Sequence, residues 1–188
     1  MEVICLTELK SNFKFINKYL QIIENMENQV NNLKIASNIQ KEDYERYLLI
    51  DLNNIIIYKK KAYIQIYEKL LSKLNSKFDC SKINIIAIAD ANIPHIIDDK
   101  WRLNKYIDIE YVHIVPAGIK ADDTILSFAR EHPTLVITND TYRDYYSILT
   151  KTWVQSIRIP VSVISINRCF KIIFPICSII KIIDFIDN

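Results

Sequence analysis

The residues with the clearest catalytic potential in this sequence are aspartates that come soon after short apolar runs. The set comprises Asp90, Asp122, Asp123, Asp140 and Asp144, together with Asn92 beside the first of them. Runs of this kind, rich in β-branched residues and separated by helical stretches, are typical of parallel strands. In an open parallel sheet, ligands bind beyond the carboxyl ends of the strands. We therefore expect acids from distant parts of the chain to meet at one crevice.

Such a group of carboxylates favours hard divalent cations. Crowded carboxylates repel one another and raise their own pKa values unless a cation is present. Oxygen ligands without His or Cys select Mg²⁺ or Mn²⁺ over zinc, and two such ions can support an in-line phosphoryl displacement. The sequence therefore predicts phosphodiester hydrolysis, with Asp90, Asp123, Asp140 and Asp144 as metal ligands. Taken singly, some acids also fit structural roles, Asp140 as a helix N-cap and Asp122 or Asp123 in a first helical turn.

The apolar runs predict an α/β fold with a central parallel sheet. Strands are expected over residues 83–89, 109–115, 134–138 and 159–166, and helices over 93–106, over 124–130 and after Pro175. The single glycine, Gly118, lies in the loop before Asp122, where either a turn that needs a positive φ or the close approach of a ligand would favour it.

Residues 1–80 are predicted to form a helical N-terminal extension. They contain no Pro or Gly, and apolar residues recur at spacings of three and four near 9–23 and over 41–77. The apolar face must pack on the α/β unit or on a second copy of the chain, so these helices could mediate a homodimer. The basic residues form either a solvated face or a ridge that follows a phosphate backbone. We place the boundary at Asp79–Lys82, with the α/β domain over 81–188.

The composition indicates a globular protein with no strong overall charge. Of the 188 residues, 50% are hydrophobic and 24% are charged, and the net charge of +2 is too small to argue for nucleic acid or a membrane surface. The four cysteines include no C-x-x-C pair. We find no signal peptide and no apolar stretch long enough to cross a membrane, and we expect a cytoplasmic protein.

Two motifs resemble a known family of nucleases. Residues 116–126 (PAGIKADDTIL) and 137–144 (ITNDTYRD) look like the NYN ribonucleases of the Regnase type, within the PIN-like superfamily. The resemblance covers about residues 83–175. It implies a PIN-like parallel-sheet fold and Mg²⁺-dependent endoribonuclease activity on single-stranded RNA.

The resemblance also assigns roles to the acids. Asp90 corresponds to the family's first-strand aspartate, Asp122 and Asp123 to its paired acids, and Asp140 and Asp144 to the acids of the last motif. Asn92 matches the polar residue after the first aspartate. The family usually has Gly-x-Asn after that aspartate, whereas this chain has only Ala91-Asn92.

Basic side chains flank the predicted mouth of the crevice. Lys120, Arg143, Arg102 and Lys151 are the natural contacts for the phosphates of an RNA substrate. Two other functions fit the same residues. The module could bind RNA or a protein without cutting, or it could be a structure-specific DNA nuclease, which would use the same metal geometry.

Overall fold

A short strand, Tyr47–Asp51, forms the centre of the main sheet. The computed structural model describes residues 45–166 and 169–187, which belong to a compact unit that begins at Tyr44. The strand pairs in parallel with Asn84–Ala89 on one side and with Thr134–Ile137 on the other. Leu48, Leu49 and Ile50 are all almost completely buried. A run of consecutive apolar residues is what a strand covered on both faces requires.

Nine strands and seven α-helices follow one another along the described residues. The strands are β1 (Tyr47–Asp51), β2 (Ile57–Tyr58), β3 (Lys61–Ala62), β4 (Asn84–Ala89), β5 (Val112–Ile114), β6 (Thr134–Ile137), β7 (Arg158–Ile159), β8 (Ser162–Ile166) and β9 (Cys169–Ile173). The helices are α1 (Leu52–Ile56), α2 (Ile64–Lys77), α3 (Ile93–Ile96), α4 (Lys100–Asp108), α5 (Ala121–Glu131), α6 (Lys151–Ile157) and α7 (Ile176–Asp187). The parallel main sheet has the order β5-β4-β1-β6-β7, and β2-β3 and β8-β9 are antiparallel pairs.

Apolar cores lie on both faces of the main sheet. Leu48 and Ile50 point into the larger core, which includes side chains from α1, α2, α4 and α7 and from the β8-β9 pair. Leu49 points the other way, into a core built with α5 and α6. This alternation follows from the two-residue period of a strand. The predicted α/β class with a central parallel sheet flanked by helices is confirmed.

The prediction of helix over residues 41–77 is wrong in its first half. The long helix in this range is Ile64–Lys77. Residues 47–51 are the central strand, and residues 57–58 and 61–62 are the two strands of a short hairpin. Residues 47–77, which lie before the predicted boundary at Asp79–Lys82, belong to the same compact unit as the α/β elements after it. The division into two domains stays a prediction. The predicted helix near residues 9–23 lies outside the described residues.

Other predicted elements are shorter or divided in the structure. The strand expected over 109–115 is Val112–Ile114, and the helix expected over 93–106 is two helices, α3 and α4. The strand expected over 159–166 is divided between β7, which completes the main sheet, and β8, which pairs with β9. Asp140 is followed not by an α-helix but by a 3₁₀ turn at Arg143–Tyr145.

The loop before α5 confirms the role expected of the glycine. Gly118 has a φ of +88°, and a Cβ added there would meet nothing within 4 Å. The positive φ therefore favours glycine, and crowding does not contribute.

Within the described residues, no helix has the length and apolar character needed to cross a membrane.

We expect Leu49→Ala to destabilise the protein by about 2–5 kcal/mol, because it leaves a cavity beside the central strand. Urea unfolding followed by circular dichroism measures the change. Ile148→Ala is the matched control, since that side chain is 76% exposed and should change the free energy of unfolding by less than about 0.5 kcal/mol. Equal effects of the two substitutions would contradict the position of β1 in the core.

Candidate active site

A pocket of about 450 Å³ opens at the carboxyl ends of the central strands. Its lining combines four carboxylates with amides and apolar groups: Asp51, Asn53, Asn54, Ile57, Asp90, Ala121, Asp122 and Asp140. The acids come from four separate places, the ends of β1 and β4, the first turn of α5 and the loop after β6. No Lys or Arg lies among these lining residues, so the pocket concentrates negative charge.

Asp51 is the most deeply buried acid of the pocket, with an exposed fraction of 2%. Its Oδ1 accepts a hydrogen bond from the backbone N–H of Asn54 at 3.1 Å, which caps α1. Its Oδ2 accepts from the Thr138 hydroxyl at 2.7 Å and from the Tyr142 hydroxyl at 3.4 Å. Burial raises the pKa of Asp51 to about 6, against the lowering effect of the hydrogen bonds from Thr138 and Asn54.

Asp90 joins three elements of the fold. Its Oδ1 accepts from the backbone N–H of Ala121 at 2.8 Å, at the start of α5. Its Oδ2 accepts from the side-chain amide of Asn53 at 3.0 Å, and its own backbone N–H donates to Asn53 Oδ1 at 2.8 Å. Lys120, the N-cap residue of α5, makes no side-chain capping bond. Asp90 therefore supplies that helix with a cap from a different element.

Asp122 is partly exposed, and within the described residues its carboxylate accepts no hydrogen bond. Burial raises its pKa to about 6, and the charges of Asp140, Asp90 and Asp123 act in the same direction. Lys120 opposes them. Carboxylates that raise one another's pKa in this way form an uncompensated negative site, which a cation would stabilise.

Asp140 is oriented by the loop that contains it. Its Oδ1 accepts from the backbone N–H of Tyr142 at 2.7 Å, and its own N–H donates to the Thr138 hydroxyl at 3.0 Å. Thr138 is fully buried and also donates to Asp51, so one hydroxyl links two acids of the pocket. Tyr142 is 2% exposed and is therefore a core residue, and its φ of 51° places its backbone in the left-handed region.

The structure brings together only part of the predicted set. Asp90, Asp122 and Asp140 line the pocket, whereas Asp123, Asp144 and Asn92 do not. Asp123 is exposed and accepts from the Tyr145 hydroxyl at 2.7 Å. Asp144 is exposed on the 3₁₀ turn, and Asn92 is exposed beside Asn53, whose amide lies 3.4 Å from its Oδ1.

Asp51, Asn53 and Asn54 are the site residues that sequence reasoning missed. Asp51 ends the first described strand of the main sheet, and Asp90 follows β4, the next strand of that sheet along the chain. The correspondence of Asp90 to the family's first-strand aspartate stays a prediction. The signal was present, since Leu48-Leu49-Ile50-Asp51 is another short apolar run ending on an acid. Asp51-Leu52-Asn53-Asn54 also matches the expected Gly-x-Asn spacing, with Leu52 in place of Gly.

The predicted phosphate contacts differ in their surroundings. Lys120, Arg143 and Lys151 are exposed. Arg102 instead forms an ion pair with Glu68 of α2, in which its Nε donates to Glu68 Oε1 at 2.9 Å. This ion pair links α2 and α4, and the role of Arg102 as a phosphate contact stays a prediction.

The donor set of the pocket suits a hard divalent cation, since every charged group in its lining is a carboxylate. Across residues 45–166 and 169–187, however, no three His, Cys, Asp or Glu side chains already stand as a group that could hold a metal ion. Asp51, Asp90 and Asp140 instead direct oxygens to internal hydrogen-bond donors. Cation binding would require these carboxylates to reorient or to use their remaining lone pairs.

The same fold is found in solved structures of a plant ribonuclease. The crystal structure of nuclear proteinaceous RNase P 2 (PRORP2) from A. thaliana matches with a TM-score of 0.55 and 15% identity, over 86% of this chain and 35% of that chain. A second structure of Arabidopsis thaliana PRORP2 matches with a TM-score of 0.50 and 18% identity, over 86% of this chain and 36% of that one. The chain thus spans about a third of the length of PRORP2. The likeness shows that this chain shares its α/β fold with that part of PRORP2.

No protein-family model matches the sequence, and no curated protein matches it significantly.

We expect Asp122→Asn to stabilise the metal-free protein by about 1–2 kcal/mol at pH 7.5. Because the side chain is partly exposed, solvent screening makes this gain smaller than the pKa shift alone would give. The pKa of Asp122 is raised, so the folded state binds its proton more tightly than the unfolded state does. The advantage of the neutral side chain should therefore be largest above pH 6 and disappear towards pH 4. Urea unfolding in EDTA across this range measures it.

Asp144→Asn is the matched control, because it removes one negative charge from an exposed site outside the pocket. Its effect should stay within about 0.5 kcal/mol at every pH. An Asp122→Asn stabilisation that does not depend on pH would contradict the electrostatic explanation.

Proposed function

We propose that this protein is a metal-dependent endoribonuclease of the Regnase-like NYN type that hydrolyses phosphodiester bonds in single-stranded RNA. The single observation that carries the proposal is the convergence of Asp51, Asp90, Asp122 and Asp140 on one open pocket with no basic side chain in its lining. The likeness of the fold to a ribonuclease supports the choice of RNA.

The pocket residues fit Mg²⁺ or Mn²⁺ in their chemistry. Carboxylates and amides are hard oxygen donors. Burial raises the pKa values of Asp51 and Asp122, and the charges of neighbouring acids add to the rise. When bound, a divalent ion there would stabilise charge on the phosphate oxygens and lower the pKa of a water molecule. The paired-acid role implied for Asp123 and the last-motif role implied for Asp144 stay predictions.

The chain's own residues orient the acids. Thr138 fixes one oxygen of Asp51 and the backbone of Asp140, and Asn53 with Ala121 fixes both oxygens of Asp90. Asp122 accepts no hydrogen bond from residues 45–166 or 169–187, so no donor in that part of the chain restrains its carboxylate. Lys120, exposed at the start of α5 beside Asp122, is the basic side chain best placed to meet a phosphate.

We expect Asp140→Asn and Asp51→Asn each to reduce cleavage of an end-labelled single-stranded RNA by about 100-fold or more in Mg²⁺ or Mn²⁺, because each removes a carboxylate from the pocket. Initial rates from denaturing gels measure the loss, and EDTA should abolish cleavage by the unsubstituted protein. Asp108→Asn, exposed at the end of α4, serves as the matched control and should retain full activity.

Equal cleavage by the pocket variants and the unsubstituted protein would contradict the proposal. RNA binding without cleavage in any metal, unaffected by loss of the aspartates, would favour the non-catalytic module. A preference for branched or flapped DNA over RNA in competition would favour the DNA nuclease. The homodimer through residues 1–80 and the cytoplasmic location stay predictions.

We also expect Mn²⁺ to raise the melting temperature of the unsubstituted protein in the absence of RNA, because a ligand that binds only the folded state stabilises it. The shift should be strongly reduced in Asp122→Asn and retained in Asp108→Asn. Differential scanning fluorimetry over a Mn²⁺ titration measures it. A shift of the same size in all three proteins would indicate that Mn²⁺ binds elsewhere.

A further inference from the structure

Asp90 contacts both polar atoms of the Asn53 side chain, and the amide nitrogen also lies 3.4 Å from Asn92 Oδ1. Its amide nitrogen donates to Asp90 Oδ2 at 3.0 Å, and its amide oxygen accepts from the Asp90 backbone N–H at 2.8 Å. The two bonds together fix the orientation of the amide. In a flipped side chain the amide nitrogen would face the Asp90 backbone N–H, and the amide oxygen would face the Asp90 carboxylate. Asn53 lies in the pocket wall, two residues beyond Asp51.

This pair of bonds holds Asp90 against the repulsion of its neighbours. The charge of Asp90 contributes to the raised pKa of Asp122, so the two carboxylates repel each other across the pocket. A donor on Oδ2 and a second donor, the Ala121 N–H, on Oδ1 keep both oxygens of Asp90 in place. Charge-assisted bonds of this kind are stronger than neutral ones.

The same contacts connect β1, β4 and α5. Asn53 follows the central strand, Asp90 follows β4, and Ala121 begins the helix that carries Asp122 in its next position. The position of Asp122 relative to Asp51 thus depends on a continuous chain of bonds from Asn53 through Asp90 to Ala121. Asparagine supplies the donor for the carboxylate and the acceptor for the backbone at the same time.

We propose that Asn53 is a positioning residue of the metal site, which acts by orienting Asp90 and, through Asp90, the start of α5. This inference rests on the proposed function. Groups that orient metal-binding carboxylates typically change metal affinity or activity by 10–100-fold when they are removed. We expect a change of that size for Asn53→Ala.

The first test measures Mn²⁺ binding without RNA, by the electron paramagnetic resonance signal of free Mn²⁺. Asn53→Ala should raise the dissociation constant about 10–100-fold, and Asn53→Ser, whose shorter side chain cannot span both groups of Asp90, should do the same. Asn104→Ala, an exposed asparagine on α4, is the matched control and should bind Mn²⁺ as the unsubstituted protein does. Urea unfolding checks that each variant is folded.

The second test is a double-mutant cycle with Asp90→Asn. If Asn53 acts through Asp90, adding Asn53→Ala to Asp90→Asn should weaken Mn²⁺ binding by much less than it does alone. In cleavage assays at saturating Mn²⁺, Asn53→Ala should lower kcat and leave the KM for RNA unchanged. Both readouts separate positioning from a general loss of stability.

The outcomes distinguish the two proposals. Mn²⁺ binding and cleavage by the unsubstituted protein together with unchanged binding in Asn53→Ala would overturn the role of Asn53 and leave the proposed function standing. Fully additive effects in the cycle would do the same. Absence of both Mn²⁺ binding and RNA cleavage in the unsubstituted protein would overturn the proposed function itself.

Discussion

Four carboxylates held at the wall of one pocket repel one another, and the surrounding fold has to supply the free energy that keeps them together. Asp51 is the extreme case, because it is almost completely removed from water and its pKa is raised to about 6. The central strand that carries it is buried on both faces. The apolar contacts of Leu48, Leu49 and Ile50 stabilise a position that the carboxylate by itself would disfavour.

Hydrogen bonds then determine how each acid is oriented within the pocket. Thr138 lies at the end of β6, level with Asp51, since Ile137 pairs with Ile50 in the register of the sheet. Its hydroxyl donates to Asp51 and accepts from the backbone of Asp140. Asn54 adds a second link across the same pair of strands, because its amide oxygen accepts from the Asn139 N–H at 3.1 Å. The adjacent strand ends are therefore tied by side chains beyond the last bonds of the ladder.

The chemical consequence is a site in which three of the four carboxylates are restrained by hydrogen bonds and one is not. Asp51, Asp90 and Asp140 are each restrained by internal donors, whereas Asp122 stands at the start of α5 with no hydrogen bond from the described residues. An arrangement of this kind supplies preorganised charge and one group free to respond to a cation or a substrate. Burial raises the pKa of Asp122, and repulsion from the neighbouring carboxylates adds to the rise, so neutralising those carboxylates would remove only the second contribution.

The sequence alone determined the α/β class, the parallel sheet, the need for a positive φ at Gly118 and three of the four pocket acids, because each depends on a pattern local to a few residues. Tertiary structure alone decided the rest. Residues 47–51 are too short and too uniformly apolar for periodicity to separate strand from helix, and only their place between β4 and β6 makes them the central strand. Tertiary structure also decided the partners of several side chains. Asn53 meets Asp90, Arg102 meets Glu68 and Asp123 turns to Tyr145 across 22 to 37 positions of sequence, and no local pattern encodes a partner at that distance.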